Sequence, residues 1–244
     1  MLPKSKIKVV QSLKHKKNRI NSNLFLVEGI KSFDELLKSN YKIEFTIISK
    51  ETLANNKHYK NLNDLYVVSS AEINKLSCLK NNKSLISVVH KKNLKKKSID
   101  FSKLLIALDS VSDPGNLGTI IRIADWFNIK SIICSKNTVD LYNSKVIQSS
   151  MGSFTRVNVF YENLEEVFSN QDINVIGTST DGIDLNQFEV PDKGIILFGS
   201  ESKGIHKSLE KYIDTWISIK KSGRAESLNV SVSVGIILHK LSYE

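Results

Sequence analysis

Two kinds of hydrophobic patterning divide the chain. From Phe25 to about Val89, short apolar runs alternate with helical stretches: "LFLVEG", "EFTIIS", "LYVVS" and "LISVVH" read as strands, and Ile30 to Leu37 and Ala71 to Leu76 as helices. This is the pattern of a small α/β domain. Residues 91–100, "KKNLKKKSID", are polar, basic and aperiodic, as a linker is. The boundary is therefore placed near residue 100, with a linker at 91–103, a first domain of residues 1–100 and a second of residues 104–244.

In the second domain near-continuous apolar strands alternate with helices, which predicts a parallel sheet covered on both faces. The strands are expected at 104–111, 131–135, 156–161, 173–179, 194–200 and 215–219, and helices at about 117–128, 142–151, 163–170 and 203–211. The closing segment "SGRAESLNVSVSVGIIL" (222–238) is ambiguous: it alternates like a strand around Val230, Val232 and Val234, yet Val230, Val234, Ile237, Leu238 and Leu241 fall on one helical face. A terminal strand would need another sheet edge, whereas a helix packs on the sheet already present. Helix is favoured, despite Gly235 and the β-branched residues.

Charge changes this picture more than composition does. Residues 1–103 hold 22 Lys and Arg against 8 Asp and Glu, and residues 104–244 hold 13 against 17. Basic stretches such as Lys4 to Lys8 and Lys14 to Arg19 suit a polyanion, through attraction that is mostly sequence-blind and salt-sensitive; the alternative is a solvated surface. At 244 residues and 41% hydrophobic content, the chain can build its core without staples. Cys78 and Cys134 lie far apart and match no metal spacing, so no metal site is expected and both are read as small hydrophobes in a reducing compartment. No apolar run approaches the roughly 20 residues of a membrane span, and no apolar signal core follows the N-terminal charge. A cytoplasmic protein is expected.

In such sheets ligands collect at the carboxyl ends of the strands, and three loops there stand out. In "LDSVSDPGNLGTIIRIADWF", Asn116 reads as the N-cap of a helix striped by Leu117, Ile120, Ile121 and Ala124. Arg122 lies off that stripe beside Gly118 and Asp125, either as a functional group or as half of a surface ion pair. "ILFGSESKG" (196–204) places small residues and Glu201 directly after a strand, without GxGxxG or GK[ST]. In the third loop Ser227 reads as an N-cap and Asn229 sits in the first helical turn.

Together these loops resemble the SpoU/TrmH family of RNA 2′-O-methyltransferases, of the SPOUT superfamily. Asn116, Gly118 and Arg122 match motif one, Gly199, Ser200, Glu201 and Gly204 motif two, and Ser227 to Val232 ("SLNVSV") motif three. Leu13, Arg19 and Phe25 to Gly29 resemble the family's substrate-binding domain. The resemblance implies a deep trefoil knot in the second domain and a homodimer that binds S-adenosylmethionine. Thr178, Gly199, Ile219 and Leu228 would line the cofactor, and Arg122, Asn116, Glu201, Ser227 and Asn229 the catalytic centre. Arg122 would act as base or, since a guanidinium is a poor proton acceptor, as a phosphate clamp. Structured RNA is the expected partner, rRNA ahead of tRNA, with Arg19, Lys16 and Lys17 at the RNA-facing surface; a non-catalytic RNA- or ribosome-binding protein is the alternative. One departure is Lys220-Lys221, which stand where the family has Pro in the cofactor loop.

Overall fold

The computed structural model describes residues 2–95, 99–169, 172–189, 191–201 and 203–241. Lys96, Lys97 and Ser98 of the expected linker, Asn170 of an expected helix and Ser202 of "GSESKG" lie outside the described residues. In chain order the elements are α1 (Lys4–Ser12), α2 (Lys16–Ser22), β1 (Leu24–Glu28), α3 (Ile30–Leu37), β2 (Ile43–Ser49), α4 (Lys50–Asn55), β3 (Leu65–Val68), α5 (Ser70–Leu76) and β4 (Leu85–His90). They continue as β5 (Leu104–Leu108), α6 (Pro114–Trp126), β6 (Ser131–Ser135), α7 (Ser144–Ser149), β7 (Asn158–Glu162) and α8 (Leu164–Ser169). The last are β8 (Val175–Asp184), β9 (Gly194–Phe198), α9 (Lys207–Glu210), β10 (Thr215–Ser218) and α10 (Val230–Leu241).

The chain divides into one unit of Met1–Asn93 with Asp140–Thr155 and another of Leu94–Val139 with Arg156–Glu244. The first is built on a sheet of order β1-β4-β2-β3, antiparallel except for the parallel β2/β3 pair. Strand alternation sends Leu26, Phe45, Ile47, Ile86 and Val88 to one face, against Val10, Leu13, Ile73 and Leu76. The basic N-terminal runs are thus helices, α1 and α2, with Val10 and Leu13 turned inward. On β1 Phe25 points the other way, to Tyr142 at 4.5 Å and Phe154 at 6.0 Å between ring centroids. Those rings explain why 140–155, expected in the second domain, belongs to the first unit: β1 leaves an apolar face that this segment covers.

The second unit is a six-stranded sheet of order β10-β8-β9-β5-β6-β7, parallel at every pairing. On one face Leu105, Ala107, Ile133 and Leu197 pack with Leu164, Val167 and Leu209 of α8 and α9. From β5 the chain first builds outward through β6 and β7, then returns to build β9, β8 and β10 on the other side. The strand order therefore reverses between β5 and β9, the place where such sheets open a crevice at their carboxyl ends.

β8 outruns its expected end at residue 179. Trp216 of β10 pairs with Gly177, but the next residue, Ile217, pairs with Ile183, so residues 178–182 leave the ladder and return. Gly182 permits the return, because a Cβ there would sit 2.6 Å from the carbonyl carbons of Trp216 and Ile217.

Candidate active site

α6 begins three residues earlier than expected. Asp113, not Asn116, is its N-cap, with Oδ1 accepting from the Asn116 N–H at 2.9 Å and Pro114 at the first helical position. Proline fits there because its missing N–H would lack an intrahelical partner anyway. Asn116, released from capping, donates from Nδ2 to Glu201 Oε1 and accepts at Oδ1 from Asn229 Nδ2 at 3.0 Å. Likewise Asn229, rather than Ser227, caps α10: its Oδ1 accepts from Ser231 N at 2.9 Å and Ser231 Oγ at 2.6 Å. Glu201, Asn116, Asn229 and Ser231 therefore form one hydrogen-bonded chain across the three loops singled out in the sequence.

α6 and α10 run side by side and parallel. Asn116 meets Asn229 at their starts, a Cβ at Gly235 would lie 3.6 Å from Ile123 Cδ1 midway, and the Phe127 and His239 rings stand 6.5 Å apart near their ends. Both N-termini, with their partial positive charge, thus open beside Glu201, where a carboxylate or another anion is stabilised.

The loop after β9 is closed tightly. Ser200 and Gly204 exchange backbone hydrogen bonds of 3.0 and 2.9 Å, Gly204 has φ +65°, and a Cβ on Gly199 would stand 2.0 Å from the Gly204 carbonyl carbon. Only glycine fits at 199. Just beyond, the His206 N–H donates to buried Asp109 Oδ2 at 2.8 Å, and Ser110 Oγ to its Oδ1 at 2.9 Å. Asp109 directly follows β5, so it ties that loop to the switch point, where Ser110 adopts φ 59°. Asp109, Ser110 and Asp113 were not among the site residues expected from the sequence, and Ser231, although inside motif three, was not expected to bond Asn229. A lone acid closing the apolar run "LLIALD" was the available signal for the first.

Arg122 is exposed, and Asp125 does not hold it. Asp125 is taken by Arg156, whose Nε and Nη2 reach it at 2.9 and 2.7 Å, while Arg122 makes no hydrogen bond or ion pair among the described residues. Thr178 is half-buried at the point where β8 leaves the ladder, its Oγ1 donating to Leu197 O at 3.0 Å. Ile219 follows β10 and is half-buried, Leu228 is 46% exposed, and Ser227, Lys220 and Lys221 are exposed. In the other unit, Lys16 and Lys17 face solvent, but Arg19 is 5% exposed. Its guanidinium donates to Asp140 Oδ2 at 2.8 Å and to the carbonyls of Leu13 and Lys14 at 3.0 and 3.1 Å, so Arg19 is an internal brace and not an RNA-facing cation.

The fold is thus a parallel α/β sheet whose three motif loops are hydrogen-bonded together at the strand reversal, and among the described residues no group of three or more His, Cys, Asp or Glu could hold a metal ion. The chain belongs to the SpoU rRNA Methylase family, whose profile matches residues 103–239; an MRM3-like substrate binding domain matches residues 4–87. It is 26% identical over 240 residues, 97% of this chain and 95% of the other, to the 23S rRNA (guanosine(2553)-2′-O)-methyltransferase RlmP of Bacillus subtilis. Among solved structures, a TrmH-family protein from Porphyromonas gingivalis is 29% identical with a TM-score of 0.87, covering 99% of this chain and 98% of that one. An AdoMet-bound rRNA methyltransferase from Sinorhizobium meliloti is 25% identical with a TM-score of 0.87, over 100% of this chain and 96% of its own.

Proposed function

We propose that this protein transfers a methyl group from S-adenosylmethionine to a ribose 2′-hydroxyl of structured RNA, rRNA rather than tRNA. The observation that carries this reading is the Glu201–Asn116–Asn229 chain at the strand reversal, joining the three motif loops of a methylase family. RlmP and the Sinorhizobium meliloti enzyme, each similar along nearly the whole chain, are rRNA methyltransferases by name and support the choice of rRNA.

The residues fit the cofactor. Thr178 stands where β8 leaves its ladder with β10, and Gly199 and Ile219 directly follow β9 and β10, the strands on either side of β8, so that they offer mainly backbone groups, while Leu228 leaves apolar surface uncovered for a purine. When bound, S-adenosylmethionine supplies an electrophilic methyl group on a sulfonium. The chain's own task is orientation. Glu201 and the two amides fix the loops around the 2′-hydroxyl, with Ser227 beside them. Arg122 has no carboxylate partner among the described residues, and it holds a substrate phosphate and offsets negative charge developing on the 2′-oxygen. Arg122 lies about 9 Å along α6 from Asn116, and Trp126, one turn further on, is 84% exposed. This face fits a second copy of the chain, and we read the protein as a homodimer in which each subunit completes the other's site. The same reading places it in the cytoplasm, with the 219–241 segment threaded through a preceding loop as a deep trefoil knot and the first unit engaging RNA.

Calorimetry with S-adenosylmethionine, followed by transfer of labelled methyl to rRNA, tests the proposal. Arg122→Ala is expected to lower transfer by roughly 10²-fold or more while cofactor affinity stays within a few fold. Absence of both binding heat and transfer in the unaltered protein overturns the reading in favour of a binding module, and full activity in the variant removes Arg122 from the mechanism.

A further inference from the structure

The first unit contains an open cleft of about 1020 Å³ to whose described lining none of the three motif loops contributes. Its walls are the start of α3, the loop 77–84 between α5 and β4, α4 and one side of α7. The loop wall is built firmly. Glu28, 5% exposed at the floor, accepts from Ser77 Oγ, from the Cys78 N–H at 3.0 Å and from Asn82 Nδ2 at 3.0 Å, while Asn82 Oδ1 accepts from Ser84 N at 3.0 Å. That carboxylate is thereby satisfied, and the other acid in the cleft, Glu51, accepts from Ser70 at 2.7 Å.

Against these two committed carboxylates stand Lys31, Lys80 and Lys83, exposed and without hydrogen bond or ion pair among the described residues. The same lining holds the uncharged amides Asn55, Asn81 and Gln148, and no aromatic ring belongs to the described lining. Stacking on rings is how unpaired bases are usually held, whereas ammonium groups take phosphates and small amides take ribose hydroxyls. The rival basic surface on α1, α2 and the turn between them is weaker than its sequence suggests. Lys6 lies over Phe45 at 4.3 Å, Lys14 donates to Ser77 O at 3.0 Å, and Arg19 is bound to Asp140.

We propose that this cleft seats the sugar–phosphate backbone of the RNA substrate, with Lys31, Lys80 and Lys83 on phosphates and Asn55, Asn81 and Gln148 on 2′-hydroxyls. It rests on the RNA-methyltransferase reading and adds which face of the first unit grips the substrate, and that it reads backbone rather than bases. The test is equilibrium binding of the full chain to a 23S rRNA transcript and to DNA of the same sequence across a salt series. The triple variant Lys31→Ala/Lys80→Ala/Lys83→Ala is expected to lose roughly tenfold or more in RNA affinity and to lower the salt slope by about 3, about 1 for each lysine. Lys16→Ala/Lys17→Ala is expected to change less, and DNA to bind more weakly than RNA. Asn81→Asp, which adds a carboxylate to the cleft, is expected to weaken binding with an unchanged unfolding temperature, giving a second measure if the triple variant folds poorly. Unaltered RNA affinity in both cleft variants overturns the cleft while leaving the methyltransferase reading intact. Equal RNA and DNA affinity overturns the 2′-hydroxyl contacts, and failure of the unaltered protein to bind RNA at all overturns both readings.

Discussion

An asparagine amide has a donor end and an acceptor end, and this polarity orders the candidate site. Glu201, as a carboxylate, only accepts, so Asn116 must turn its NH₂ toward it and its oxygen toward Asn229, whose own oxygen is then left to cap α10. The types of these residues were legible in the sequence; their direction followed only from the contact. Arg19 shows the opposite outcome. Within "KHKKNRI" it reads as one more surface cation, yet its side chain is 6% exposed and paired with Asp140, 121 residues away. Arg19→Ala is expected to cost about 3–5 kcal/mol, the penalty for leaving a buried charge without its partner, measured by denaturant unfolding. A cost below about 1 kcal/mol would return Arg19 to the surface.

Among the elements, α10 carries the sharpest ambiguity of the sequence. Its apolar residues satisfied both periods, and the helix prevailed because Val230, Val234, Ile237 and Leu238 are buried together on one helical side, while α6 runs alongside the helix. The two caps were misplaced by two or three residues for one reason: several side chains in "SDPGN" and "ESLN" can cap, and the fold decides which is at the helix start. Gly235 is helical and half-buried, with only an ordinary 3.6 Å approach from a new Cβ to Ile123. Gly235→Ala is therefore expected to stabilise the protein by about 0.5–1 kcal/mol, seen as a rise in unfolding midpoint. A fall would show that the groove between α6 and α10 is tighter than this.

For the molecule as a whole, the exposed apolar residues are as informative as the buried ones. Val232 and Ile236 are 48% and 38% exposed one turn apart on α10, in the same unit as Leu228 and Trp126. Val232 and Ile236, four residues apart on one helix, present neighbouring apolar side chains to solvent. On the homodimer proposed above, Val232→Lys/Ile236→Lys is expected to shift sedimentation from dimer to monomer and to lower methyl transfer. A dimer unchanged by both lysines would move the interface elsewhere. At this scale the sequence expectation of two successive domains was too simple, since 140–155 returns to the first unit. The rings that draw it there, Phe25, Tyr41, Tyr142 and Phe154, are spread over 130 positions and announce no pairing in the sequence.

By itself the sequence determined the parallel sheet and its strands, because continuous burial writes continuous apolar runs, and it marked the three loops by their residue types. Tertiary structure alone decided which side chains meet. Hydrogen-bond partners such as Asn116 and Asn229, 113 residues apart, and a cation's choice between solvent and a buried carboxylate depend on distances through space, which local periodicity does not encode.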